Sequence, residues 1–188
     1  LAAMADHGET PASTQAARLV ASTGVPLNAA LASGFLAFGE HHAGAIEGVM
    51  HLLQDNVPCI AEARARDLVE EVRREGRRIP GIGHRIHGRD PRVAPLKRLA
   101  LETGVAGAHL RLVLAIEAEM GRIRSLHLNV DGICGAILSD LGFPWEAGRA
   151  FFMAGRLPGL VAHVLRESNE RRPFTRYDLV PVGITSSA

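Results

Sequence analysis

Arg77-Arg78-Ile79-Pro80-Gly81-Ile82-Gly83-His84-Arg85-Ile86-His87-Gly88-Arg89-Asp90-Pro91-Arg92 is the stretch on which the reading of this chain turns. Its glycines and prolines and the lack of any 3.6-residue apolar period mark it as a basic loop. On either side the helical period returns. Upstream, Ala61, Ala65, Leu68, Val69 and Val72 recur at helical spacing, predicting a helix over 62–75 that Gly76 ends. Downstream, Pro91 opens a helix to about residue 102, with Asp90 at its N-cap. Leu110, Val113, Leu114 and Ala118 predict a helix over 109–123 ending near Ser125. Ile133, Ala136, Ile137 and Leu141 predict another, stopped at Gly142-Phe143-Pro144. A last long helix is expected over 145–167, bent at Pro158-Gly159, before a polar tail over 168–188.

The 188 residues hold 21 basic and 20 acidic side chains, a formal net charge of +1, so no chain-wide field exists to hold nucleic acid or an anionic membrane. Anion binding must then be local. Cys59 and Cys134 stand in unrelated contexts, which excludes a disulfide framework and a structural zinc site and points to a reducing, cytoplasmic setting. With 4% aromatic residues, the core must come from Leu, Val, Ile and closely packed small-residue helices, a composition that suits an all-α fold. The chain starts at Leu1 rather than Met, so a missing N-terminal segment is expected, and no signal leader is visible. Residues 19–39 carry no charge, yet Thr23-Gly24-Val25-Pro26-Leu27-Asn28 interrupts them; they read as two short buried helices, over 16–22 and 29–38, rather than a membrane span. Both are apolar on nearly every side, which predicts a homodimer built on them.

Nine histidines are many for a neutral chain of this size, and several lie beside Gly, Asp or Arg. A histidine titrates near neutrality and is useful where a proton or hydrogen bond must move. Four places stand out: Asp6-His7-Gly8, Gly39-Glu40-His41-His42-Ala43-Gly44, the loop from Gly81 through Arg92, and Asn129-Val130-Asp131-Gly132.

Together these blocks resemble the citrate synthase family, including the citryl-CoA lyase module at the C-terminal end of ATP-citrate lyase. Gly81 to Ile86 followed by Asp90-Pro91-Arg92 is similar to the family's G-[FYI]-G-H-[RA]-V and D-P-R blocks, Leu128 to Gly132 to its N-V-D block, and Asp6-His7-Gly8 to its D-H-E/G block. Residues 39–47 resemble G-P-L-H-G-G-A-N-E, with Glu40 for Pro, His41 for Leu and Ile46 for Asn. The resemblance implies an all-α fold: a large helical part of residues 1–44 and 141–188, and a smaller helical domain, 45–140, inserted in it. It implies an enzyme that forms or cleaves the bond between the acetyl-CoA methyl and oxaloacetate through citryl-CoA, as an acyltransferase or a lyase. Asp131 would be the carboxylate base, His42 the donor to the thioester oxygen and His84 the group polarising the ketone. His7, Arg92, Arg156 and Arg172 would bind the carboxylates of oxaloacetate or citrate. Gly81, Ile82, Gly83 and Arg85 would contact coenzyme A, with no metal. His42 leans toward synthase chemistry, because the lyase module of ATP-citrate lyase lacks that histidine, whereas Arg172-Pro173-Phe174-Thr175-Arg176-Tyr177-Asp178 resembles the lyase-type ending; the direction stays open.

Each residue also has a plainer reading. His7 could serve packing, Asp131 could be an N-cap, and Arg92 and Arg156 could be surface charges. His41, His51, His87, His109, His127 and His163 are read as packing residues. A metal set drawn from Glu40, His41, His42, Glu47 and His51 is disfavoured, because at about 100° per residue a continuous helix would point His42 and His51 to opposite faces. A catalytically silent member that binds CoA or a partner subunit is the alternative to an enzyme.

Overall fold

A computed structural model describes residues 1–83, 88–170 and 173–174. Among them are α1 (Ala12–Ala21), α2 (Leu27–Leu36), α3 (Gly44–Gln54), α4 (Ala61–Arg74), α5 (Val93–Glu102), α6 (Ala108–Arg124), α7 (Val130–Asp140) and α8 (Gly148–Glu170). Short 3-10 turns occupy Ala2–Met4 and Trp145–Ala147. The all-α expectation holds, with no strand among the described residues and only isolated bridges, Gly39 to His42 and Ile82 to Leu128.

The apolar period read for α4 is buried, whereas in α6 only Leu110 and Val113 of the residues read are buried, Leu114 is half-buried, Ala118 is exposed and Leu112, Ile116 and Met120 take the inward face; Leu141, read into the next helix, is 52% exposed. Ala65, Leu68, Val69 and Val72 of α4 pack onto α6, whose Leu110, Leu112, Val113, Ile116 and Met120 face inward. Helix α3 lies against α7 and α8, and its Ile46, Val49, Met50 and Leu53 join Ile133, Ala136 and Leu138 of α7 in the same core. A smaller cluster of Ala17, Ala21, Ala30, Leu160 and Val164 joins α1, α2 and α8. Small residues set the spacing there: a Cβ on Gly34 would stand 3.0 Å from the Ala17 side chain.

Helix boundaries moved where prolines set them. Pro11 and Pro26 are the N-caps of α1 and α2, which start earlier than 16 and 29. Helix α5 starts at Val93, not Pro91, and its N-cap is Arg92 rather than Asp90, because the Asp90 carboxylate is taken by the Arg92 side chain and by Val130. Helix α8 runs on to Glu170 and is unbroken through Pro158. Gly159 has a role there: a Cβ would lie 2.1 Å from the Ala5 carbonyl, so only glycine lets the N-terminal segment cross α8 this closely. Helices α1 and α2 were expected to be apolar on nearly every side. The single chain covers them only in part, and Leu19, Leu27 and Leu36 are 45%, 41% and 86% exposed.

Candidate active site

Asn129 and Asp131 compete for one job at the start of α7, and the structure gives it to Asn129. Its Oδ1 accepts from the backbone N–H groups of Asp131 and Gly132 at 3.0 and 3.1 Å, so it is the N-cap. The reading of Asp131 as a cap is thereby removed. Asn129 also ties the preceding loop to α7: its Nδ2 donates to the Gly83 carbonyl at 2.6 Å, its N–H donates to Gly81 O at 3.0 Å, and Gly83 N donates to His127 O at 2.7 Å. Gly81 makes this possible at φ +78°; a Cβ there would lie 2.5 Å from the Gly132 Cα.

Asp131, freed from capping, faces a cleft of about 620 Å³ lined also by His7, His41, His42, Arg92, Phe152 and Arg156. Its Oδ1 is buried and has no hydrogen-bond partner among the described residues. Burial pushes its carboxyl up to about 6, against the opposing pull of Arg92, with Asp90 adding to the rise and Arg156 opposing it. A carboxylate in that range can take or give a proton near neutral pH.

Two guanidinium groups flank it. Arg156, 3% exposed, donates from Nε to the Met4 carbonyl at 2.8 Å and lies over the Phe152 ring at 5.0 Å, and its buried Nη1 has no partner among the described residues. Arg92 is held by Asp90, Nε to Oδ1 at 2.8 Å and Nη2 to Oδ2 at 2.7 Å. Neither is a surface charge. Burial alone would raise Asp90, but the Arg92 side chain and backbone outweigh it and hold its carboxyl at about 2.

His42 precedes α3, its ring stacked on Phe38 with centroids 4.8 Å apart and its Nε2 2.9 Å from Ser13 Oγ. Burial lowers its pKa, and Arg156 and His7 lower it further, so the imidazole is neutral at pH 7 and keeps a ring N–H to give. Gly39 and His42 exchange backbone hydrogen bonds, and the turn puts Ala43 at φ 71° where the matching motif has glycine. The position still forms without glycine, at a conformational cost.

The cleft therefore gathers His7, His42, Arg92, Asp131 and Arg156 from across the sequence. Of the cleft-lining residues described, none is Gly81, Ile82 or Gly83, which sit behind Asn129. His84, Arg85 and Arg172 lie outside the described residues. His41, read as a packing residue, instead stands exposed on the cleft wall. His87, also read as a packing residue, lies outside the described residues; of the rest, His109 pairs with Asp140, whose carboxylate also caps α6 through Gly107, His109 and Leu110 N–H groups, His163 pairs with Asp6, and His127 faces Glu117. Glu47 pairs with Arg149 and His51 with Asp55, so the mooted metal ligands diverge; among the described residues no three His, Cys, Asp or Glu side chains converge on a metal position.

Over residues 1–178 the chain matches the family model of the citrate synthase C-terminal domain. The chain belongs to the citrate synthase family. A citryl-CoA lyase from Hydrogenobacter thermophilus superposes with a TM-score of 0.86 at 41% identity, over 94% of this chain and 69% of that one. The glyoxysomal citrate synthase of Cucurbita maxima is 32% identical over 85% of this chain and 32% of its own length. ATP citrate lyase from Methanothrix soehngenii, in complex with citrate and coenzyme A, gives a TM-score of 0.80 at 27% identity over 95% of this chain and 32% of that one. The chain spans about a third of the length of the first curated relatives it matches.

Proposed function

We propose that this chain makes and breaks the carbon–carbon bond of citryl-CoA and that its working direction is cleavage to acetyl-CoA and oxaloacetate. The observation that carries the reading is Asp131: a buried carboxyl pushed up to about 6, its Oδ1 without a hydrogen-bond partner among the described residues, facing a cleft with Arg92 and Arg156. The direction rests on similarity, 41% identity with a citryl-CoA lyase against 32% and 34% with two citrate synthases. A catalytically silent subunit would have no use for an uncapped acid held in this way.

Arg92 and Arg156, with His7 and Arg172, bind the carboxylates of the citryl group, and the CoA portion runs past Gly81, Ile82, Gly83 and Arg85. The citryl hydroxyl loses its proton to His84 as the carbon–carbon bond breaks, and the electron pair passes onto the thioester as an enolate. His42, neutral, donates a hydrogen bond to the enolate oxygen where charge develops. Protonated Asp131 delivers its proton to the enol carbon, which becomes the acetyl methyl. Condensation is the same path reversed, with Asp131 ionised. Residues 1–44 and 141–188 would form one part and 45–140 the other; the cleft takes His7, His42 and Arg156 from the first and Arg92 and Asp131 from the second. A homodimer would cover the open faces of α1 and α2.

Incubation with citryl-CoA tests this. Oxaloacetate should appear without free thiol. Release of free CoA from acetyl-CoA plus oxaloacetate would reverse the assigned direction, and untouched citryl-CoA would overturn the reading.

A further inference from the structure

Asp90 lies outside the set of residues that would touch substrate, yet its side chain is wholly buried behind the cleft, 0% exposed. Its two oxygens take four hydrogen bonds. Oδ1 accepts from Arg92 N at 3.0 Å and Arg92 Nε at 2.8 Å; Oδ2 accepts from Arg92 Nη2 at 2.7 Å and Val130 N at 2.9 Å. Val130 is the first residue of α7 and Asp131 the second. One carboxylate thus grips both the Arg92 guanidinium and the backbone N–H next to Asp131, two residues that line the same cleft. Asp90 and Val130 are 40 residues apart in sequence, so no local element would fix their relation.

We propose that Asp90 is a positioning residue that fixes Arg92 and the start of α7 in one frame and, by matching the charge of Arg92, preserves the proton affinity of Asp131. The inference rests on the reading of Asp131 as the acid–base group. A bidentate arginine–carboxylate pair fixes the plane of the guanidinium as well as its position. It also sets the field. Around Asp131 stand Arg92 and Asp90 from the loop before α5, Arg156 from α8, His41 and His42 before α3, and His7 from the N-terminal segment. Arg92 and Arg156 stabilise the ionised form of Asp131, and Asp90 opposes them. With Asp90 neutral, its opposition to the pull of Arg92 on Asp131 would be gone, and Asp131 would become a weaker base and a stronger acid. The Arg92–Asp90 pair therefore presents a carboxylate-binding surface without stripping the neighbouring acid of its proton.

The test is a carbon-13 carboxyl titration of the labelled chain, independent of turnover. In the unaltered protein one resonance should titrate near 6 and vanish in Asp131→Asn. In Asp90→Asn that midpoint should fall by about one unit, and the KM for the dicarboxylate should rise by about tenfold as Arg92 loses its hold. A midpoint that stays where it was in folded Asp90→Asn overturns the positioning role. Absence of any titration near 6 that Asp131→Asn removes defeats instead the reading of Asp131. Should Asp90→Asn fail to fold, Arg92→Gln decides: Asp90 then faces Asp131 unneutralised, the midpoint should climb, and an unmoved midpoint contradicts the inference.

Discussion

A carboxyl pushed up to about 6 by burial works against the folded state at neutral pH. Its ordinary value is 3.8, so between these values the folded chain binds the proton more tightly than the unfolded one. Its stabilising contribution is full below 3.8 and is lost as pH rises through about 6. Asp131→Asn should therefore raise the unfolding free energy at pH 7.5 by roughly 1–3 kcal/mol, and the gain should vanish near pH 4. Urea unfolding at both pH values checks this, and equal stability at pH 7.5 would mean the group is not desolvated. Ala43 is a second strained position, left-handed at φ 71°. Ala43→Gly should stabilise the chain by about 0.5–1 kcal/mol, read as a higher urea midpoint at an unchanged slope. That Asp131, His42 and Arg92 share one cleft could be anticipated because each sits in one of the quoted blocks, whereas Arg156 stood in none of them and came only from the resemblance. Asp90 as a clamp, Ser13 beside His42 and the Met4 carbonyl on Arg156 were not legible. These contacts join residues 40, 29 and 152 positions apart, and no periodicity encodes a pairing at that range.

Helix α7 shows how an element places a buried acid. Asn129 caps it, fixes the loop through Gly83 and leaves the Asp131 side chain to the cleft. Asn129→Ala should cost about 1–2 kcal/mol in the denaturant midpoint, the scale of a lost N-cap, and should lower turnover more than it weakens dicarboxylate binding. An unchanged midpoint would show that another group caps the helix. At this scale the helices were readable from the spacing of apolar residues, and in α4 that spacing is the one that is buried, whereas in α6 Leu112, Ile116 and Met120 are buried and Ala118, which was read into the face, is exposed. The helix ends were less readable. The sequence reading offers Asp90 and Asp131 as cap residues, and only the fold makes Asn129 the cap of α7 and sends Asp90 to Val130 instead of capping α5.

The whole molecule leaves an apolar face open. Leu27 and Leu36 of α2 are 41% and 86% exposed, although the helix is almost free of polar side chains. A face of this kind is normally covered by protein. Leu36→Glu should leave the chain folded, because that side chain touches little within one copy, and should convert a dimeric mass by light scattering to a monomeric one at micromolar concentration. A monomer before the substitution would end the dimer proposal. The all-α fold was legible as a whole because the blocks occur in order along nearly the entire chain, whereas the cleft volume and the burial of Asp131 arise only when distant segments meet.

The central claim is that Asp131 exchanges a proton with the methyl carbon of acetyl-CoA. Citryl-CoA turnover in deuterium oxide, with the acetyl-CoA product analysed by mass spectrometry, tests it most directly. The unaltered chain should place one deuterium in each product methyl, and Asp131→Asn should turn over at least about 10²-fold more slowly while binding citrate with little change. Comparable rates for the two proteins would contradict the account.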